Sequence, residues 1–344
     1  MALGPPPQDE RLCLLEQSDL RDLIASLMKT RSVMGPVSKG KDYVFAEIKD
    51  AAQVDLSYQT TILPPKKALN KPLEVLFSFK DGEISHEDDA RPQVLFGVHA
   101  CDLHAITILD TVFRRDFPDP YFISRKENTV IVALNCNKVG EDCFCLSMGT
   151  GPSVKDPSDL VLTPVGSGYL LEAGSQKGAK ILADLRFEPA SRDVLLDKSN
   201  VLEEARRHFK KHVDTQGIRA VMEQSFRHPV WDELMKDCLG CGSCTTVCPT
   251  CFCYNVVDRL DLSLKSGRRE REWDSCMLLE YAEAALGANF RKDRDARIKQ
   301  RMYHKLAYYE PQFGTLGCVG CGRCISTCLK KIDITDVAAR LRGD

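Results

Sequence analysis

The sequence predicts an α/β N-terminal domain with a partly parallel sheet, followed by a smaller all-α domain. Three observations carry this prediction. Between positions 93 and 135 an apolar run of strand length, "QVLFGV", is followed by the helix-periodic "LHAITILDTVF" and a second β-branched run, "TVIVALN". Strand, helix and strand in that order describe a βαβ unit with a buried parallel sheet. From about position 199 the texture becomes helical, with two copies of one cysteine repeat as its landmarks.

The elements follow in chain order. The first ten residues, "MALGPPPQDE", suggest a flexible lead-in. Leu20, Leu23, Ile24, Leu27 and Met28 recur at helical spacing. "DYVFAEI" is strand-like, and Pro64 and Pro65 forbid helix and favour an extended or turning segment. "GYLLEA" and "GAKILADL" suggest a further strand and helix. Asn200 and Glu203 fit a capping box that would start a helix at Val201. A boundary is placed near Thr215 and Gly217, giving domains 1–215 and 216–344. Helices are expected over 273–287, over the basic stretch 293–308 and through "ITDVAARL".

The 344 residues are 43% hydrophobic and 28% charged, with a formal net charge of −2. This balance counts against a nucleic-acid binder. No stretch approaches the ~20 apolar residues needed to span a bilayer, and the N-terminus lacks the basic and apolar regions of a secretory signal. A cytoplasmic location is the expectation. In a reducing compartment, sixteen cysteines argue for metal or cluster ligation rather than disulfides.

The spacing C-x2-C-x2-C-x3-C occurs at Cys238, Cys241, Cys244 and Cys248, and again at Cys318, Cys321, Cys324 and Cys328. It is the [4Fe–4S] ligand run in which the fourth cysteine serves the other cluster. One cluster is therefore expected on Cys238, Cys241, Cys244 and Cys328, and the other on Cys318, Cys321, Cys324 and Cys248. Zinc more often takes two separated C-x2-C pairs. The 69 residues between the copies, read as two helices, favour a helical ferredoxin domain over an unrelated inserted domain.

Cys101 and Cys136 each follow a predicted strand, and Cys143 and Cys145 lie in the loop after the second. If the strands are parallel neighbours, all four meet at the carboxyl edge of the sheet, where α/β folds place ligands. A third cluster, a zinc site and four buried small hydrophobes are the alternatives. Asp102 and His104 are candidate supporting or substitute ligands. Cys251, Cys253 and Cys276 flank the first motif without an assignment, and Cys13 is expected to be inert. The basic run "RKDRDARIKQRMYHK" (291–305) is read as a solvated helix face. There is no G-x-G-x-x-G after a strand and no Walker A loop. With no substrate motif either, the first expectation is an electron carrier; a reductase acting at the N-terminal thiols is the second.

The segments "FGVHACDLHAITILDTVF", "NCNKVGEDCFCLSMGTGP", "CGSCTTVCPTCFCYNVVD", "NFRKDRDARIKQRMYHK" and "CVGCGRC" resemble the β subunit of cytoplasmic sulfhydrogenases, the sulfur-reducing NiFe hydrogenases. The iron–sulfur subunits of anaerobic sulfite reductase and of flavin modules that feed heterodisulfide reductases look similar over the same stretches. The resemblance implies an electron-relay subunit with two [4Fe–4S] clusters in the C-terminal half. It also implies a partner subunit binding FAD and NAD(P)H, together with a catalytic subunit of hydrogenase, sulfur reductase or sulfite reductase type. Leu329 stands where the repeat usually has proline, which touches only local geometry.

Overall fold

The computed structural model describes residues 12–86, 90–185, 187–191 and 193–343. Twelve strands are described: β1 (Leu12–Leu15), β2 (Ser32–Lys39), β3 (Asp42–Glu47), β4 (Leu73–Lys80), β5 (Glu83–Ser85), β6 (Gln93–His99), β7 (Thr129–Leu134), β8 (Leu160–Val165), β9 (Gly168–Ala173), β10 (Glu188–Pro189), β11 (Tyr254–Leu260) and β12 (Ser266–Trp273). Eight form one sheet in the order β10-β1-β9-β8-β7-β6-β2-β3. Its centre, β2, β6, β7 and β8, is parallel, and its flanks are antiparallel.

Every residue of β6 and β7 is buried, because both faces of the sheet are covered. On one face, helix Gln17–Met28 brings Leu20, Leu23, Ile24 and Leu27 against Val94, Phe96, Val130 and Val132. On the other, helix Ala100–Arg114 brings Leu103, Ile106 and Leu109 against Leu95, Val98 and Ile131. A strand buried on both faces reads as a continuous apolar run, which is why these two were legible.

Several elements differ from the expectations. The span 254–273 is the hairpin β11–β12, so the C-terminal half is not all helix. The helix expected over 273–287 is replaced by single 3-10 turns at Glu280–Ala282 and Ala285–Gly287. The apolar spacing that suggested it is left exposed at Leu278 and Leu286. β12 also pairs with β4, so strands from both sides of the expected boundary near 215 share a four-stranded sheet, β11-β12-β4-β5. Buried Arg271 on β12 donates to Glu74 on β4 at 2.5 Å and pairs with Asp119. Arg125 pairs with the same Glu74. The helix around 200 spans Asp193–Arg207, so Asn200 lies inside it rather than capping it. Pro65 opens a short 3-10 helix, Pro65–Ala68, with its missing N–H at a position that needs no partner. The expected N-terminal lead-in lies outside the described residues. No described helix is long and apolar enough to cross a membrane.

Candidate cluster-binding sites

β6 ends at His99, and the following helix carries Cys101 and Asp102 in its first turn. β7 ends at Leu134, one residue before Asn135 and two before Cys136. Asn135 is buried; its Nδ2 donates to Thr163 at 2.7 Å and its Oδ1 accepts from the Val154 amide at 2.7 Å. That fixes the loop carrying Cys143 and Cys145. Cys101, Cys136, Cys143 and Cys145 line one cavity together with His99, Asp102, Cys321 and Arg323. A Cβ on Gly151 would lie 2.7 Å from Cys145 Sγ, so the chain can cradle this sulfur only with glycine there. Burial pushes the Cys136 thiol up and the Cys143 thiol up to about 12. The Cys145 thiol beside it, then burial, raises Cys101. Such thiols ionise only when a cation supplies what water cannot, as a ligated metal does.

The two cysteine repeats build two further cavities, each from both copies. Cys238, Cys241, Cys244 and Cys328 line one, which reaches the surface at the exposed Cys241. Cys248, Cys318, Cys321 and Cys324 line another. The fourth cysteine of each run thus crosses to the other. Gly320 and Gly322 take left-handed backbone with φ of 66° and 75°, turning the chain around the sulfurs. Amides point at sulfur: Gly240 to Cys238 at 3.4 Å, Gly320 to Cys318 at 3.5 Å and Ile332 to Cys328 at 3.3 Å. N–H groups directed at ligand sulfurs are a means by which Fe–S sites are tuned.

The basic run 291–305 is not a solvated face. Within helix Arg294–Leu306, Arg297, Arg301 and Lys305 recur every four residues and are 8%, 5% and 1% exposed. Arg301 lines both C-terminal cavities, and Lys305 lines the second. Arg301 Nε has no hydrogen-bond partner; its Nη1 lies 3.6 Å from Met302 sulfur, and the guanidinium also bonds the Cys324 sulfur. Lys305 Nζ donates to Thr250 at 2.7 Å. Among the described residues no carboxylate pairs with either, and a buried charge requires a counter-charge. Burial pulls the Lys305 ammonium down, but Cys248 and Cys251 more than offset this and raise it. The counter-charge is therefore thiolate, and an anionic thiolate-bound cluster fits the need. Sequence reading missed this because the inward stripe and a solvated basic face have the same composition; the four-residue spacing was the available signal. Burying this stripe also removes it from any nucleic-acid surface.

The cavities lie in series. Arg301, Cys324 and Ile334 line both the first and the second, and Cys321 lines both the second and the sheet-edge cavity. The sheet-edge loop docks directly on the second repeat. Phe144 donates its amide to Gly320 O at 2.8 Å, and Thr150 its hydroxyl to Val319 O at 2.6 Å.

The other candidates fall elsewhere. Asp102 lines the sheet-edge cavity, but both its oxygens are held by Arg323. His104 Nδ1 sits 2.9 Å from Asp156 and is not part of the sheet-edge cavity's lining. His99, which the sequence reading did not single out, does line the sheet-edge cavity, and burial lowers its pKa to about 3, so it stands neutral there. Cys13 lies on β1. Among the described residues no three Cys, His, Asp or Glu side chains converge on a single metal ion; the thiols surround cavities, as a polynuclear centre requires.

A family described as "4Fe-4S dicluster domain" matches residues 237–332. The β subunit of sulfhydrogenase 2 from Pyrococcus furiosus is 36% identical over 318 residues, covering 92% of this chain and 94% of that protein. No solved structure matches.

Proposed function

The chain belongs to the sulfhydrogenase β-subunit family, and on that premise we propose that it relays single electrons between two partners, a FAD- and NAD(P)H-binding subunit on one side and, on the other, a catalytic subunit of hydrogenase or sulfur-reductase type. The series of three cysteine-lined cavities is the observation that carries this reading. Cys238, Cys241, Cys244 and Cys328 would hold one [4Fe–4S] cluster, and Cys318, Cys321, Cys324 and Cys248 a second. Cys101, Cys136, Cys143 and Cys145 would hold a third iron–sulfur cluster. When bound, such clusters accept and release one electron at a time.

The protein's own part is to hold, insulate and compensate. Phe144, Val319 and Ile334 keep water from the middle cavity. Arg301 and Lys305 supply positive charge beside it, which favours the more negative, reduced state. Residues 216–344 would act as the dicluster unit, with residues 1–215 adding the sheet-edge site. A cytoplasmic location follows from the same reading. The "sulfhydrogenase" in the relative's name favours this assignment over a sulfite reductase or a module feeding heterodisulfide reductase.

Iron analysis of anaerobically purified full-length chain, with EPR after dithionite, tests it. Three cubane clusters correspond to about 12 irons per chain. Fewer than about eight overturns the dicluster assignment, and a Cys145→Ser chain that keeps the full count overturns the third site.

A further inference from the structure

Besides Cys13 on β1, three cysteines remain outside these sites: Cys251, Cys253 and Cys276. Cys251 is in contact with Cys248, a residue of the middle cavity. Cys253 and Cys276 are in contact with each other. The hairpin β11–β12 brings them together. Cys253 precedes its first residue, and Tyr254 pairs with Trp273 across the ladder. The Asp274 amide then donates to Cys253 O at 2.9 Å. A tight turn follows, held by Ser275 Oγ accepting from the Met277 amide at 3.0 Å and bonding Thr245 at 2.6 Å. That turn returns Cys276 to Cys253.

The two sulfurs stand in different surroundings. Cys276 is 5% exposed, while Cys253 is only partly buried. Cys253 Sγ accepts from the Cys276 thiol, the Tyr281 hydroxyl and the Cys276 amide, and Lys305 adds positive charge. The thiol of Cys276, the first of these, outweighs burial and lowers Cys253 to about 6. Cys276 is raised by the same contact. A partly accessible thiolate beside a protonated thiol is the arrangement thiol–disulfide exchange needs. A mononuclear metal site is disfavoured, since no third ligand from Cys, His, Asp or Glu joins the pair among the described residues.

We propose that Cys253 and Cys276 form a redox-active thiol pair acting on a low-molecular-weight disulfide, with Cys253 as attacking thiolate and Cys276 as resolving thiol. The Cys253 thiolate attacks one sulfur of R–S–S–R; that S–S bond breaks, RS⁻ leaves, and a Cys253–S–S–R mixed disulfide forms. Cys276 sulfur then attacks Cys253 sulfur, and the second R–S group departs with the Cys276 proton as RSH. The pair loses two electrons and the small disulfide gains them. The exchange is independent of the relay reading.

Glutathione disulfide is the probe, added anaerobically to the full-length chain as purified. Alkylation and peptide mass spectrometry follow, with iron counted on the same sample. Wild type should yield a Cys253–Cys276 linked peptide with its iron retained. Cys276→Ser should stop at a Cys253–glutathione adduct, and Cys253→Ser should give neither product. Absence of the linked peptide from wild type overturns the proposal, whether or not the variants fold. So does a Cys253→Ser chain whose Cys276 is modified at the wild-type rate. Missing iron with the link present would instead strike the relay reading alone.

Discussion

Arg323 holds Asp102 through two parallel hydrogen bonds, Nη1 to Oδ1 at 2.6 Å and Nη2 to Oδ2 at 2.7 Å, across 221 positions of sequence. Both side chains are almost fully buried. Asp102 follows Cys101 of the sheet-edge cavity, and Arg323 lies between Cys321 and Cys324 of the middle one. Arg323 also donates to Thr61 O at 2.8 Å. Breaking a buried pair from one side costs about 3–5 kcal/mol, because the remaining charge loses its partner. Asp102→Asn should lower stability by about that much, measured by denaturant unfolding. A double variant with leucine at both positions should lose less.

Arg301 is shared by the two C-terminal cavities, so its charge should act on both. Removing a positive charge disfavours the more negative, reduced state. In a redox titration followed by EPR, Arg301→Gln should lower the midpoint potentials of both C-terminal signals. Lys305→Gln should lower chiefly the signal that depends on Cys248. An Arg301→Gln shift confined to one signal would contradict shared control.

The crossing of the repeats gives a pairing test. Cys328→Ser should remove the EPR signal that Cys238→Ser removes, and leave the one that Cys318→Ser removes. The reverse pattern would mean that each repeat serves its own cluster.

Gly320 is constrained twice. Its φ is 66°, and an added Cβ would lie 2.6 Å from the Cys145 amide nitrogen and Cα. The backbone conformation alone costs an alanine about 1–3 kcal/mol, and the clash is with main chain, which has no rotamer to yield. Gly320→Ala should lower the melting temperature and release iron from the sheet-edge site first, read by iron analysis during a thermal ramp.

His304 rests 4.8 Å from the Tyr309 ring centre. Burial, then Lys305, lowers its pKa from 6.5 to about 4. Between those values the unfolded chain takes up a proton that the fold refuses. The contribution is present in full above about pH 6.5 and is lost as pH falls toward about 4, at up to about 1.4 kcal/mol per unit. His99, lowered to about 3, acts in the same direction. His304→Phe should flatten the profile in urea unfolding at pH 7 and pH 5; an unchanged slope would place the effect elsewhere.

The parallel core was legible because β6 and β7 are buried on both faces and so carry uninterrupted apolar runs. The gathering of the thiols around three cavities was legible because the repeats keep a fixed spacing, and because Cys101 and Cys136 each follow a strand end. The hairpin β11–β12 was not. Its sequence, "YNVVDRLDLSLKSGRREREW", is rich in charge and mostly exposed, and its order comes from pairing with β4, some 190 residues earlier. Nor was the inward turn of Arg301 and Lys305, since what draws them in is the charge of distant thiols rather than any local preference.

Because Cys328 completes the cavity begun at Cys238, and Cys318 the one begun at Cys248, neither can be whole until synthesis has passed the second repeat. The sheet-edge cavity waits as well, since Cys321 forms one of its walls. On the proposed assignment, cluster loading would fall late in synthesis. A chain cut short before Cys318 would lack walls of all three cavities.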